Sequence, residues 1–407
     1  MESASVPSPV PPSPLIQRLP NELLVQIFSF LHSPSNLQER LREDTVKIAR
    51  PIDARTDAPI KNASLVCRLW RQSVLQFLFR YVVWSFQRFY KPKSGDIASQ
   101  IQILDFVKHN GLSRVVESFT ILMDPPKEAG GFRYPDGQFW GLLPPDDCPP
   151  QPPTSWDLLW SVVSTESPKF SSTQRPVSAD GLSAREANAS PQQLWDNNWL
   201  WQTIFGELDP LRITLIGSAD IISSLLSRSV DLTSELAFNS HYHVLSLSRT
   251  PRSVAHPGNL GIAGSPTPSD LFSIRDWTSL LVNEGSFVPV YSTYDFFHYS
   301  LPTLLPVILS PKDPSFTGLQ KTLRSFSYIG TFPLSRHIRD VVIPYCPPVE
   351  HLYIQIMPRA LDPWPSGKLA HIDIADLWLE CDTAYSLIMR EVFGPDAELG
   401  LKSLQVF

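Results

Sequence analysis

Large apolar residues recur at helical spacing in two stretches near the start of this chain. Across residues 19–31, Leu23, Leu24, Ile27, Phe28 and Leu31 fall on one side of a helix. Pro20 stands where a first helical turn tolerates it, because the missing N–H has no helical partner there, and Glu22 follows near the positive end of the helix dipole. Across residues 64–79, Trp70, Val74 and Leu78 recur every four residues. This predicts a second amphipathic segment, two short helices with a bend near Cys67.

Further along, helices are expected at 97–109, 195–208 and 219–226, with short ones at 156–163, 276–282 and 300–309. Strands are expected at 115–123, 212–217 and 242–247. Proline, glycine and serine crowd 124–153, 166–192 and 248–270, which are read as flexible inserts. An apolar-x-x-apolar-x-apolar pattern then recurs at Leu323/Phe326/Tyr328, Val349/Leu352/Ile354, Ile374/Leu377/Leu379 and Leu401/Leu404/Val406, with starts 26, 25 and 27 residues apart. Earlier instances begin at Val116 and Tyr242, and helix-like segments lie at 335–345 and 384–393.

One strand and one return helix per 25–27 residues is the signature of a leucine-rich-repeat solenoid. The expected fold class is therefore α/β: a helical module at 15–90, then an irregular solenoid over 91–407 with parallel strands and return helices. The ladder asparagine is replaced by Thr331, Met357 and Asp382, so the repeats are degenerate. Residues between the buried ones should face the concave side: Ser325 and Ser327, His351 and Tyr353, Asp376 and Trp378, Ser403 and Gln405. Tyr353 and Trp378, one strand apart, form a candidate aromatic anchor for a partner, with His351 and Asp376 beside them. No capping unit follows the strand at 407, so an open parallel edge is expected there, closed by further chain or by a partner.

The run Leu19-Pro20-x-Glu22-Leu23-Leu24-x-x-Ile27-Phe28-x-x-Leu31, followed by Ser64-Leu65-Val66-Cys67-Arg68-x-Trp70-Arg71 and Leu78-Phe79-Arg80, resembles an F-box. The resemblance implies docking on the Skp-family adaptor of a cullin-based (SCF) ubiquitin ligase. It further implies that Leu19, Pro20, Leu23, Leu24, Ile27, Phe28, Leu31, Leu65, Val66, Trp70 and Leu78 divide between the module's core and its adaptor interface. In that reading the chain is a substrate receptor that presents an unknown target and performs no chemistry; the alternative is a scaffold acting outside a cullin ligase. An F-box followed by degenerate repeats resembles the fungal F-box proteins especially, as do the segments at 199–205 and 281–286. One departure stands out. Residues 36–60 lengthen the link between the two halves, and their many charges, with Pro34 just before them and Pro51 and Pro59 within, predict a solvated insertion looping out.

Charge sharpens this picture more than bulk composition does. The net charge is −6, yet residues 15–90 hold 11 Lys/Arg against 6 Asp/Glu, net +5, and the chain from Lys91 onward nets −10. A basic docking module suits an acidic partner, as the family's adaptor is. Hydrophobic content of 43% and aromatic content of 11% are globular, while forty prolines demand many irregular turns. Cys67, Cys148, Cys346 and Cys381 are far apart, with no C-x-x-C pair and no histidine at zinc spacing, so free thiols and no metal are expected.

Residues 1–14 read as a Ser/Pro/Val-rich disordered arm and not a signal peptide, and no apolar run reaches the roughly 18 residues of a membrane span. Cytosol or nucleus is expected, the two N-x-S sequons are taken as unused, and no membrane partner is expected. No phosphate-binding, nucleophile-elbow or metalloprotease motif occurs, and no basic stripe with interleaved aromatics argues for nucleic acid. His241 and His243 are read as a surface pair, and Asp146, Asp147, Glu380 and Asp382 as solvated carboxylates. No cofactor and no catalytic residue is expected.

Overall fold

Among the described residues, runs of β-branched and large apolar residues build eight strands, which hydrogen-bond in the order of the chain. They are β1 (Tyr81–Phe86), β2 (Ser118–Met123), β3 (Arg212–Gly217), β4 (His243–Ser248), β5 (Ser279–Ser286), β6 (Ser325–Thr331), β7 (His351–Gln355) and β8 (Ser403–Val406). The computed structural model describes residues 19–31, 37–45, 48, 58–86, 101–123, 198–228, 242–250, 270–292, 303–310, 314–358, 373–393 and 403–406. The inserts expected at 124–153 and 166–192, and the short helix expected at 156–163, lie outside these residues.

Among the described residues, three helices form the N-terminal module: α1 (Asn21–Leu31), α3 (Ala58–Ser64) and α4 (Arg68–Leu78), with the single turn α2 (Leu37–Arg40) between the first two. Along the sheet follow α5 (Gln102–His109), α6 (Asn198–Glu207), α7 (Ala219–Leu225), α8 (Leu305–Ile308), α9 (Pro314–Thr322), a helical stretch at 335–345 with a π-turn in its middle, and α11 (Ile374–Phe393), the 335–345 stretch counting as α10. One sheet face carries the buried repeat positions, Phe119 and Ile121, Leu245 and Leu247, Phe326 and Tyr328, Leu352 and Ile354. These pack with Leu104, Trp201, Ile222, Leu305, Leu319 and Leu377 into the main core.

The architecture is mixed α/β, and it departs from an all-parallel array. β1–β2–β3 and β5–β6–β7–β8 pair in parallel, but β4 runs antiparallel to both neighbours. Alternating burial is the same whichever way a strand runs, so the sequence pattern carries no direction. The strand expected at Ile374 is instead the start of α11, where Leu377, Cys381, Ala384 and Ile388 are buried at helical spacing. β8 pairs directly with β7, His351 opposite Ser403, and skips that segment. The short helix expected at 276–282 is β5; Leu280 and Val282 face the main core while Leu281 packs on the opposite face. β1, folded into the helical module by the sequence reading, follows α4 as a strand of aromatic and β-branched residues.

The opposite sheet face is apolar at one end, where Leu122, Ile216, Val244, Leu281, Ile329 and Tyr353 lie buried together. An apolar sheet face exposed to water is costly, and here it is covered by the segment expected to loop out. Leu41, Thr45 and Ile48 are buried, with Leu41 and Ile48 in contact with that cluster. Residues 36–60 are therefore no purely solvated insertion. Part of the segment is a strap across the sheet.

Candidate docking surface

The module closes a small core of its own. Leu24 and Phe28 of α1, Ile60 and Ala63 of α3 and Val74 of α4 are buried together, with Leu19, Trp70, Phe77 and Leu78 packed against them. The Trp70 ring meets Phe28 edge-on at 5.2 Å, a geometry aromatic quadrupoles favour. The Pro20 carbonyl accepts the Leu23 and Leu24 amides at 3.1 and 3.2 Å, so α1 starts where its proline predicted. Ser73 of α4 donates to Asn21 Oδ1 at 2.5 Å and ties the two helices at that end.

Beside this core lies a second apolar surface. Leu23, Ile27, Phe30 and Leu31 follow at i, i+4, i+7 and i+8 along α1 and are 43–82% exposed. At 100° per residue this stripe lies next to the Leu24–Phe28 line. Leu65 and Val66, in the turn between α3 and α4, are also 80% and 58% exposed, and Leu69 at the start of α4 is 37% exposed. Turn bonds from the Leu65 amide to Asn62 and from the Val66 amide to Ala63 hold these side chains outward. Lys61, Arg68 and Arg71 are exposed around them.

The sequence-read docking residues thus divide. Leu23, Ile27, Leu31, Leu65 and Val66 stand outside, with exposed Pro20 at the helix start. Leu24 and Phe28 are interior, and Trp70, Leu78 and Leu19 line the core's edge, so these five serve the fold. Phe30 and Leu69 were missed, although Phe30 sits two helical turns from Leu23 and the spacing alone would have found it.

The second group of expected residues does not assemble. Tyr353 is buried: the Arg42 guanidinium of the strap covers its ring at 3.7 Å, and its hydroxyl donates to Gln355 Oε1 at 2.8 Å. His351 is exposed at the start of β7. Asp376 and Trp378 lie on α11, not on a strand, and Trp378 is 40% exposed with its ring edge-on to Phe332 at 5.9 Å. The expected Tyr353–Trp378 pair on adjacent strands is therefore absent.

Polar chemistry gathers at a third place, inside the fold. Glu284 of β5 accepts from the Tyr328 hydroxyl at 2.8 Å and from the Leu304 amide at 3.2 Å, accepts the Thr303 hydroxyl, and lies 3.0 Å from His337 Nε2. Burial pushes its carboxyl up, but the His337 bond and charge, the His243 charge and Thr303 outweigh that and leave it at about 2. Burial, reinforced by the Glu284 charge, raises the Tyr328 hydroxyl well above its ordinary range. Glu284 and Tyr328 are fully enclosed and His337 nearly so, which makes the cluster a junction between β5, β6 and the 335–345 helix. His243, read as a surface residue, is also buried, while His241 is outside the described residues. Glu380, read as solvated, accepts the Ser335 amide at 2.8 Å and caps that same helix.

Among the described residues there is no group of three or more metal-ligating side chains, and no helix is long and apolar enough to cross a membrane. The F-box-like family profile matches residues 16–83. No curated protein and no solved structure matches the chain.

Proposed function

We propose that this chain is the target-recognition subunit of an SCF-type ubiquitin ligase. Its F-box-like module docks on a Skp-family adaptor and, through that adaptor, on a cullin. The observation that carries this reading is the apolar stripe of Leu23, Ile27, Phe30, Leu31, Leu65, Val66 and Leu69, left outside a module whose own core is already closed. Contiguous exposed apolar surface marks a binding face, and burying the exposed half of one leucine is worth roughly 1 kcal/mol. Several such residues supply enough for a specific complex, and the net +5 of residues 15–90 favours an acidic partner.

The chain itself contributes proximity: ubiquitin transfer is carried out by the enzyme the cullin recruits. Residues 91–407 hold the target, an irregular repeat-like domain whose outward side chains include His351, Asp376 and Trp378. It works in the cytosol or nucleus, with no nucleic acid or membrane among its partners.

Co-purification tests the reading. Full-length chain should carry adaptor and cullin with it, and Leu23→Ala with Ile27→Ala should lose both while its circular-dichroism melt stays unchanged. Undiminished adaptor in the double variant refutes the docking surface. Adaptor without cullin in the wild-type complex makes the chain a scaffold instead.

A further inference from the structure

Helix α11 carries apolar side chains on two sides and buries those of one. Leu377, Cys381, Ala384 and Ile388 pack into the main core, and the Glu380 carboxylate, which accepts the Ser335 amide at 2.8 Å, ties the helix to the 335–345 stretch. Beside that buried line stand side chains in water: Ile374 at 52%, Trp378 at 40%, Leu379 at 66% and Tyr385 at 43% exposure. At 100° per residue, Ile374, Tyr385 and Trp378 share a strip roughly 40° wide next to the buried line. Exposed Asp382 comes next round the helix, one turn after Trp378 and Leu379 and one turn before Tyr385. Helical side chains at these spacings are neighbours. A carboxylate therefore stands in the open among two aromatic rings and a leucine.

Single exposed apolar residues are ordinary, but four on one helix whose other side is already packed mark a binding face. Trp378 is also set in place beforehand. Its ring meets buried Phe332 edge-on at 5.9 Å, so less side-chain freedom is lost when a partner covers it. Charge decides what that partner is. A purely apolar surface would strip water from Asp382 and leave it unanswered. A second copy of α11 would set carboxylates against carboxylates, since the helix holds Asp376, Glu380, Asp382 and Glu391 against Arg390. A lysine or arginine satisfies both features at once, pairing with Asp382 and lying against the Trp378 and Tyr385 rings. The net −10 of the chain from Lys91 onward steers cations the same way.

We propose that the outward face of α11 is a docking site for a basic segment of the target, one that carries a lysine or arginine among large apolar side chains. The cation pairs with Asp382, and the apolar side chains cover Ile374, Trp378, Leu379 and Tyr385. Naming the occupant a target rests on the receptor reading above; the site itself rests on α11 alone.

The test pans immobilised full-length chain with a display library of random peptides. Selected sequences should hold lysine or arginine flanked by leucine, isoleucine, phenylalanine or tryptophan. The best of them, synthesised and labelled, should bind about tenfold more weakly to Trp378→Ala and to Tyr385→Ala. Asp382→Lys alters a side chain that already faces water, so its melt should match the unaltered chain, and panning on it should turn the selection toward aspartate and glutamate. Panning that returns no such basic sequences, or returns the same ones on Asp382→Lys, overturns the proposal. A concentration-dependent dimer in sedimentation that Trp378→Ala dissolves overturns it too, because the face then belongs to a second copy. Adaptor and cullin should co-purify undiminished with Asp382→Lys. An unaltered chain that selects basic peptides but recruits neither adaptor nor cullin overturns only the identification of the occupant as a target.

Discussion

Leu23 and Phe28 lie five positions apart on one helix and answer to different demands. Phe28 is enclosed against Trp70, whereas Leu23 is 46% exposed. Phe28→Ala should therefore cost the module about 3–5 kcal/mol, read as a fall in its urea midpoint. Leu65→Ala with Val66→Ala should leave that midpoint in place, since both side chains already face water, and weaken adaptor binding by roughly ten- to a hundredfold in calorimetric titration. The sequence showed that all of these residues belong to one amphipathic module. It did not sort them, because the core line and the outward stripe are adjacent on the helix and equally apolar. Gly285 is a third kind of residue, set by backbone. Gly285→Ala meets both a positive φ and the Thr45 hydroxyl, so it should loosen the strap, seen as faster exchange of the Ile48 amide.

Elements are joined by polar groups as well as by packing, and the Glu284 junction makes one such joint sensitive to pH. Its carboxyl is held at about 2 in the folded chain, facing His337, His243 and the Tyr328 and Thr303 hydroxyls. A folded pKa below the unfolded one contributes stability at neutral pH that disappears as pH falls from about 5 toward 2. The contribution is on the order of 3 kcal/mol, and urea unfolding across that range should show it. Glu284→Gln should flatten the acid limb and lower stability at pH 7, because the buried Tyr328, Thr303 and His337 groups lose the carboxylate that accepts their hydrogen bonds. Element by element, the strands at 118–123, 212–217 and 325–331 could be read in advance from alternation. β5 and α11 could not. A run such as Leu280-Leu281-Val282, buried on both faces, has no period to read, and Ile374/Leu377 fits a strand motif and a helix equally.

For the whole molecule, attachments among the described residues, Leu75 and Phe79 at the main core and the strap on the other face, set the module against the sheet. Phe79, just past α4, stacks on Phe106 of α5 at 5.0 Å, and the strap crosses the far face of the sheet. Phe79→Ala combined with Leu41→Ser should uncouple them, splitting one calorimetric transition into two and widening the small-angle scattering profile. Local pattern revealed the module and most of the sheet, but neither the reversed β4 nor the strap, since a chain-distant contact leaves no mark on neighbouring residues.

That distance has a consequence for biogenesis. Leu41 and Asn283 are 242 positions apart, and a ribosome adding roughly 5–20 residues per second takes on the order of 12–50 s to cover such a gap. The earliest-made part of the chain must therefore wait, finished and sticky, while its eventual resting place is still being translated. A docking partner of the kind proposed would meet the nascent module during that interval, before the strands after β1 exist.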